Sequence, residues 1–182
     1  MPAKSPLEML YHWESTQPEQ IYLQQPVQRQ FKSFSWYQVG QQVRRLANAL
    51  IAQNFPKGSH IAILSKNCAE WFITDLAILM AGHVSVPVYA TAGEETLRYV
   101  LTHSHCRAIF LGKLDHAEQQ AHAIPEGIKR FSFPYPQDLE GVAIDLDWQT
   151  LQSQPPMEDN PIPDADDTMT IIYTSGSTGN PK

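Results

Sequence analysis

The sequence predicts an α/β fold, a doubly wound and largely parallel β-sheet with flanking helices. Three short apolar segments alternate with segments of helical period between residues 60 and 124. The apolar segments lack the alternation of polar and apolar residues that a half-exposed strand shows, which favours a sheet covered on both faces. The turns between the segments are short, as in right-handed βαβ units. These observations assign residues 35–133 to an α/β subdomain.

The region before residue 35 is less regular and is predicted to be an N-terminal arm, residues 1–34, with a short helix and strands. Its residues 21–23 and 31–34 flank Pro26 and favour a β-hairpin. Ser35 opens a Ser-x-x-Gln sequence, the form of a capping box, and therefore predicts the start of a helix. Apolar residues recur behind it at spacings of three and four, as on one face of an amphipathic helix. These residues are Val39, Val43, Leu46, Ala47, Leu50 and Ile51.

Strands and helices alternate from residue 60 onward. The predicted strands lie at residues 61–64, 84–89, 108–111 and 128–133, with a weaker helix at 114–124. Pro87 is unusual within a strand because it lacks a backbone N–H, and it favours an edge or a bulge. Asn67 and Thr91 each precede a glutamate by three residues, a spacing that predicts the start of a helix.

The helix after Asn67 is rich in apolar residues. They are predicted to form helix core and not the lining of an acyl tunnel: Trp71, Phe72, Leu76 and Leu79. Asp75 lies among them and is predicted to face the surface, not to act as a catalytic carboxylate. His103, His105 and Cys106 resemble a metal-binding cluster in composition. No second pair of ligands accompanies them, so no metal site is predicted.

Residues 134–167 are predicted to be an extended, poorly packed connector. Six of the 14 prolines lie here, and proline-rich segments favour extended backbone. Five acidic residues fall within residues 158–167, but the neighbouring prolines disfavour a compact cation site, so this stretch is predicted to be solvated. A short element near Trp148 interrupts the connector. The β-branched residues that follow predict a strand at 168–173, which begins the last predicted unit, residues 168–182.

Charge and composition exclude several classes of protein. The net charge is −6 and would be −1 without the five clustered acids, so no basic surface for nucleic acid is expected. Cys68 and Cys106 are too few for a disulfide scaffold, which favours a reducing compartment. The N-terminus has no apolar core of a signal peptide. The longest apolar run, residues 71–82, is shorter than the roughly 18 residues that a spanning helix needs. A cytoplasmic protein without a transmembrane segment is expected, with peripheral membrane contact left open.

The last nine residues carry the chemistry that the sequence predicts. They supply four hydroxyl side chains, two glycines and one lysine: Thr174, Ser175, Ser177, Thr178, Gly176, Gly179 and Lys182. The glycines allow an anion to approach backbone N–H groups closely. The hydroxyls add hydrogen-bond donors, and a lysine charge suits phosphate. A strand that leads into such a loop is a common place for nucleotide phosphates in open α/β sheets, whereas a flexible Gly/Ser linker rarely follows a β-branched strand.

This loop differs from a Walker A loop. A Walker A loop has four residues between its glycines and a lysine directly after the second glycine. Here Gly176 and Gly179 enclose two residues, and Lys182 lies three positions beyond Gly179. The sequence therefore predicts a phosphate-binding loop of another kind.

The string IIYTSGSTGNPK, residues 171–182, resembles the phosphate-loop signature of the adenylate-forming (AMP-binding) superfamily. That superfamily includes acyl-CoA synthetases, peptide-synthetase adenylation domains and luciferases. Residues 57–112 resemble its first βαβαβ stretch in order and spacing. Val-Pro-Val-Tyr-Ala-Thr, residues 86–91, is similar to the medium- to long-chain fatty acyl-CoA synthetase branch. The resemblance identifies the chain as the N-terminal subdomain of an adenylate-forming enzyme.

The resemblance implies a ligase that uses ATP, Mg²⁺ and coenzyme A. A carboxylate, most consistently a fatty acid, is activated as acyl-AMP and then transferred to the thiol of coenzyme A. The loop residues Thr174 to Lys182 would hold the β- and γ-phosphates: the hydroxyls as donors, the glycines for close approach and Lys182 for charge. The parts of the family that hold adenine, ribose and the catalytic lysine have no counterpart in these residues, so no catalytic residue is expected here. The chain alone is expected to be inactive.

Other functions remain open on the sequence. One is a different adenylate-forming enzyme, such as a peptide-synthetase adenylation domain. Another is a kinase or NTPase with an atypical phosphate loop, which would produce ADP where adenylation produces AMP and pyrophosphate. A third is a non-catalytic binding role. The products formed from ATP distinguish the first two.

Overall fold

The computed structural model describes residues 4–174. The chain begins with a helix, a hairpin and a second helix: α1 (Pro6–Thr16), β1 (Ile21–Val27), β2 (Gln30–Ser35) and α2 (Trp36–Ile51). The predicted hairpin is present, but its turn lies at Gln28 and Arg29, and Pro26 stands within β1 opposite Phe31. The capping box predicted at Ser35 is confirmed, because its side chain accepts from the backbone N–H of Gln38, whose own side chain accepts in return.

The main sheet confirms the predicted fold class. Its strands are β3 (His60–Leu64), β4 (Val84–Val88), β5 (Ala108–Leu111) and β6 (Lys129–Ser132). They pair in the order β4-β3-β5-β6, and all three pairings are parallel. The helices between them are α3 (Ala69–Met80), α4 (Glu94–His103) and α5 (Ala117–His122). In residues 4–174, no helix combines the length and the apolar character that a bilayer crossing requires.

Helices cover both faces of this sheet. Ile61 and Ile63 of β3 pack with α2 and α3 on one face, whereas Ala62 and Leu64 pack with α4 and the start of α5 on the other. All four side chains are fully buried. A strand buried on both faces has no polar positions, which is why its sequence is continuously apolar.

Two predicted helix starts are wrong. α3 begins after Cys68, which makes no side-chain cap, and the N–H of Ala69 instead donates to Oε1 of Gln25 in β1 (3.0 Å). α4 begins after Gly93, also without a side-chain cap. The loop before α4 is held from α5, where Gln120 donates to the carbonyl oxygens of two alanines at 2.9 and 3.0 Å. Gln25 thus replaces the cap that Asn67 would supply to α3, whereas Gln120 holds the loop before α4 by its carbonyl oxygens and does not cap that helix.

The burial of α3 corrects two further predictions. Phe72 is not helix core, because 45% of its surface is exposed. Trp71 is half-buried, while Leu76 and Leu79 are buried as predicted. Asp75 is half-buried where a surface position was predicted, and burial raises the pKa of its carboxyl group. An apolar helix has no polar stripe to mark its outer face, so periodicity alone cannot orient it.

The connector is packed against α1 and α2 over residues 152–161. It contains a 3₁₀ turn at Pro136–Asp138 and the short helix α6 (Trp148–Gln152), which confirms the element expected near Trp148. Tyr11 donates to the carbonyl oxygen of Pro161 (2.9 Å), and Asn48 donates to that of Pro155 (2.9 Å). The prediction of a poorly packed connector is therefore wrong for this stretch, because side chains of two helices satisfy its backbone carbonyls.

Candidate functional site beside β4

The segment that follows the connector lies beside β4. Thr170 forms a parallel bridge with Ser85. The N–H of Ser85 donates to the carbonyl of Met169 (3.0 Å), and the N–H of Ile171 donates to the carbonyl of Ser85 (2.9 Å). The predicted strand at 168–173 is therefore reduced, in the described residues, to one bridge. This segment contacts β4 at Ser85, and Tyr173 and Thr174 follow it beside the last turn of α4.

Thr174 is the one predicted site residue within the described part of the chain. It is exposed and directly follows Tyr173, which is buried. The other predicted site residues lie outside the described residues: Ser175, Gly176, Ser177, Thr178, Gly179 and Lys182. The structure thus places the residue from which the predicted loop starts.

Tyr173 fixes this starting point to α4. Its hydroxyl lies 2.7 Å from Nδ1 of His103, in the last turn of α4. The rings of Tyr173 and His103 meet edge to face at a centroid distance of 5.7 Å, and Tyr99 stacks on His103 at 5.3 Å. Burial raises the pKa of the Tyr173 hydroxyl. Sequence reasoning missed this contact, since nothing in the pattern links residues 70 positions apart.

The topological switch point of the sheet lies elsewhere. α3 follows β3 on one face and α5 follows β5 on the other, so the crevice between the ends of β3 and β5 is where doubly wound folds commonly bind ligands. Here that crevice is closed. Lys66 N–H donates to the carbonyl of Lys113, and Lys113 N–H donates to Oγ of Ser65, both at 3.0 Å. A Cβ at Gly112 would overlap Ser65 and Phe133. The outer edge beside β4 is therefore the better candidate site.

Neither cysteine is an activated nucleophile. Cys68 and Cys106 are buried free thiols, and burial raises the pKa of each to about 11. Both therefore remain protonated at neutral pH. Next to Cys68, Tyr135 donates to Oε2 of the buried Glu70 (2.5 Å), and burial raises the pKa of that tyrosine. These groups form a satisfied polar cluster and do not supply a nucleophile.

The histidines near the end of α4 have structural partners. His103 contacts Tyr173, and Nδ1 of His60 contacts the carbonyl oxygen of Ser104. Across residues 4–174, no three His, Cys, Asp or Glu side chains are grouped as a metal site would need. A cavity of about 510 Å³ lies at the amino edge of the sheet, between Lys57, His83 and Asp164, and its lining includes Thr168 and Met169.

The chain is an α/β subdomain whose edge segment, beside β4, is followed in the sequence by glycine- and hydroxyl-rich residues. The family model described as AMP-binding enzyme matches residues 10–182. The chain therefore belongs to the AMP-binding enzyme family, as the sequence signature predicts.

Curated relatives agree with this family. Fatty acyl-CoA synthetase A of Dictyostelium discoideum is 33% identical over 163 residues, which cover 84% of this chain and 24% of the relative. A long-chain-fatty-acid–CoA ligase, FadD15 of Mycobacterium bovis, is 30% identical over 183 residues, which cover 96% of this chain and 30% of the relative. The chain thus spans a quarter to a third of the length of these relatives.

A solved structure supports the fold. Acetoacetyl-CoA synthetase from Streptomyces lividans superposes with a TM-score of 0.83 at 20% identity, over 96% of this chain and 29% of that one. At this level of identity the likeness concerns the fold.

Proposed function

We propose that this chain is the N-terminal part of an ATP-dependent, AMP-forming acyl-CoA synthetase whose acid is a fatty acid. The observation that carries the proposal is the parallel pairing of residues 169–171 with Ser85 of β4, which places this segment at the edge of the sheet. In the sequence, this segment leads directly into the family's phosphate-loop signature. The fatty acyl-CoA ligases among the relatives support the choice of acid and of coenzyme A as acceptor. The division into an arm, a subdomain, a connector and a loop unit at residues 34, 133 and 167 belongs to the same proposal.

The proposed reaction has two steps. In the first, a carboxylate oxygen attacks the α-phosphorus of ATP, and the bond from that phosphorus to the oxygen bridging the β-phosphate breaks, which releases pyrophosphate. In the second, the sulfur of coenzyme A attacks the acyl carbon, the bond to AMP breaks, and the thiol proton is lost as AMP leaves. Catalysis of such steps depends mainly on positioning and on neutralising phosphate charge.

The loop residues would act in the first step. We assign donation to the phosphate oxygens to four hydroxyl residues, close approach to two glycines and charge to one lysine: Thr174, Ser175, Ser177, Thr178, Gly176, Gly179 and Lys182. Magnesium would enter the reaction bound to ATP, where it neutralises phosphate charge. The described residues contain no activated thiol, which is consistent with a role in positioning. Both cysteines are free thiols, which supports the proposed cytoplasmic location.

The two half-reactions of the full-length protein test this proposal. Lys182→Ala should slow pyrophosphate release from ATP and fatty acid by about 100-fold or more, the usual cost of removing a group that stabilises transition-state charge. Thioester formation from supplied acyl-adenylate should keep its rate, because pyrophosphate has already left. Lys57→Ala, at the far edge of the sheet, is the matched control and should leave both rates unchanged.

The outcomes separate the alternatives. Release of AMP and pyrophosphate from the unmodified protein supports adenylation, whereas ADP would indicate a kinase or NTPase. If Lys182→Ala slowed both half-reactions equally, the role of the loop would be wrong. If the full-length protein released no pyrophosphate with any fatty acid, the proposed function would be wrong.

A further inference from the structure

The edge segment before the loop is weakly held by its backbone. In the described residues its backbone hydrogen bonds to β4 are the two at Ser85, and no strand pairs with its outer side. Thr170 and Ile172 are exposed. Side-chain contacts of the residues before Thr174 therefore matter for the course of this segment.

Tyr173 supplies such a contact and makes it with α4. Its side chain is 9% exposed and belongs to the apolar cluster that includes Leu101 of α4. Its hydroxyl contacts Nδ1 of His103, and Tyr99 stacks on that imidazole from one turn earlier in α4. α4 is itself anchored, because its inward residues Leu97, Val100 and Leu101 are buried. A rigid helix thus holds the residue next to Thr174.

We propose that His103 is a positioning residue for the adenylate-forming step, which acts through Tyr173 on the start of the phosphate loop. This inference rests on the proposed function, because it takes Thr174 and the residues after it to bind the ATP phosphates. The 2.7 Å contact sets where the backbone leaves the sheet. If Thr174 were displaced, the loop that follows it would be less well oriented toward the phosphates. Small displacements of positioning groups lower the rate of phosphoryl chemistry substantially.

The inference predicts an effect on the adenylate-forming half-reaction and on its substrate ATP. Tyr173→Phe and His103→Ala should each raise KM for ATP about three- to tenfold, the range expected for loss of one partly buried hydrogen bond. Thioester formation from supplied acyl-adenylate should be unchanged. The double variant should be no worse than His103→Ala alone, because both substitutions remove the same hydrogen bond. His103→Asn, which keeps a polar group near Nδ1, should recover most of the affinity.

A matched control separates positioning from general stability. Tyr11 also donates its hydroxyl across the chain, to the carbonyl of Pro161, but lies on the other face of the sheet with α1. Tyr11→Phe should leave KM for ATP unchanged. If Tyr11→Phe and Tyr173→Phe raised it equally, or if His103→Asn failed to recover it, the positioning role would be overturned.

Hydrogen exchange tests the same contact without activity. In the full-length protein, the amides of residues 171–174 should exchange faster in His103→Ala and Tyr173→Phe than in the unmodified protein, and Tyr11→Phe should leave them unchanged. Unchanged exchange in the first two variants would overturn the inference. Absence of pyrophosphate release from the unmodified protein would instead refute the proposed function, so the two failures are distinguishable.

Discussion

Arg44 connects three segments that are distant in the sequence. From α2 it forms a bidentate ion pair with Glu14 of α1, at 2.7 and 2.9 Å, and it donates to Oδ1 of Asn160 in the connector at 2.8 Å. Arg44 and Glu14 are almost fully buried, with side chains 10% and 13% exposed. A Cβ at Gly40 would overlap both of them, so the glycine is needed for this close approach. A buried pair of this kind binds elements together because neither charge can return to water.

Removal of one partner of the Arg44–Glu14 ion pair should therefore lower the free energy of unfolding. Arg44→Ala is expected to lower the free energy of unfolding by about 3–5 kcal/mol, because it leaves Glu14 buried without its partner. Urea denaturation of the 182-residue chain measures the change. Arg44→Met with Glu14→Leu should lose less than Arg44→Ala, since no charge is then stranded.

An exposed ion pair provides the comparison. Nζ of Lys66 lies 2.5 Å from Oδ1 of Asp115, but the two side chains are 49% and 61% exposed. Lys66→Ala should change the free energy of unfolding much less than Arg44→Ala, because water screens exposed pairs. Equal losses in the two variants would refute the account of Arg44.

At the scale of elements, the sequence predicted those strands and helix starts that depend on residues close together in the chain. The strands β3, β4 and β5 follow from apolar runs because a strand covered on both faces has no polar position. The start of α2 follows from Ser35 and Gln38 because that cap is formed within four residues. The starts of α3 and α4, the exposure of Phe72 and the packing of the connector were not predictable in this way. Each depends on contacts between residues that are remote in the chain.

The same distinction between local and long-range contacts applies to the candidate site. Its loop residues were predicted from a contiguous signature, residues 171–182. The contact between Tyr173 and His103 was not, because it joins the edge segment to the last turn of α4 across 70 positions. Motifs report groups that must be adjacent in sequence, whereas the groups that orient them are brought together only by folding.

The start of α3 offers a test of a cap supplied by another element. Gln25 is buried in β1 and accepts from the N–H of Ala69. Gln25→Ala should lower the free energy of unfolding by about 1–3 kcal/mol, because it leaves a buried backbone donor without an acceptor. Urea denaturation checks this value.

The neighbouring glutamine is a matched control. Gln24 lies on the opposite, exposed face of β1 and donates to Oγ of Ser33 at 3.2 Å. Gln24→Ala should change the free energy of unfolding by no more than about 0.5 kcal/mol, as is usual for surface sites. If both variants lost the same amount, Gln25 would not be the cap of α3.

At the scale of the whole molecule, two apolar clusters lie on either side of one sheet. α1, α2 and α3 pack on one face with the connector, and α4 packs on the other with Tyr173. The candidate site therefore draws on both sides: its edge segment is aligned by β4 and anchored by α4. On the proposed function, this scaffold would hold the phosphate chain of ATP, whereas binding adenine and transferring the acid would require other groups.

These requirements predict that the 182-residue chain alone makes no acyl-CoA. The chain spans 24% and 30% of two ligase relatives, and its described residues offer neither an activated nucleophile nor a metal-binding cluster. Incubation with ATP, Mg²⁺, a long-chain fatty acid and coenzyme A should yield no thioester by mass spectrometry, while the full-length protein under the same conditions should yield acyl-CoA and AMP. Turnover by the purified 182-residue chain would show that phosphate binding and catalysis reside together in this subdomain, and the division of labour proposed between the loop and the rest of the enzyme would then be wrong.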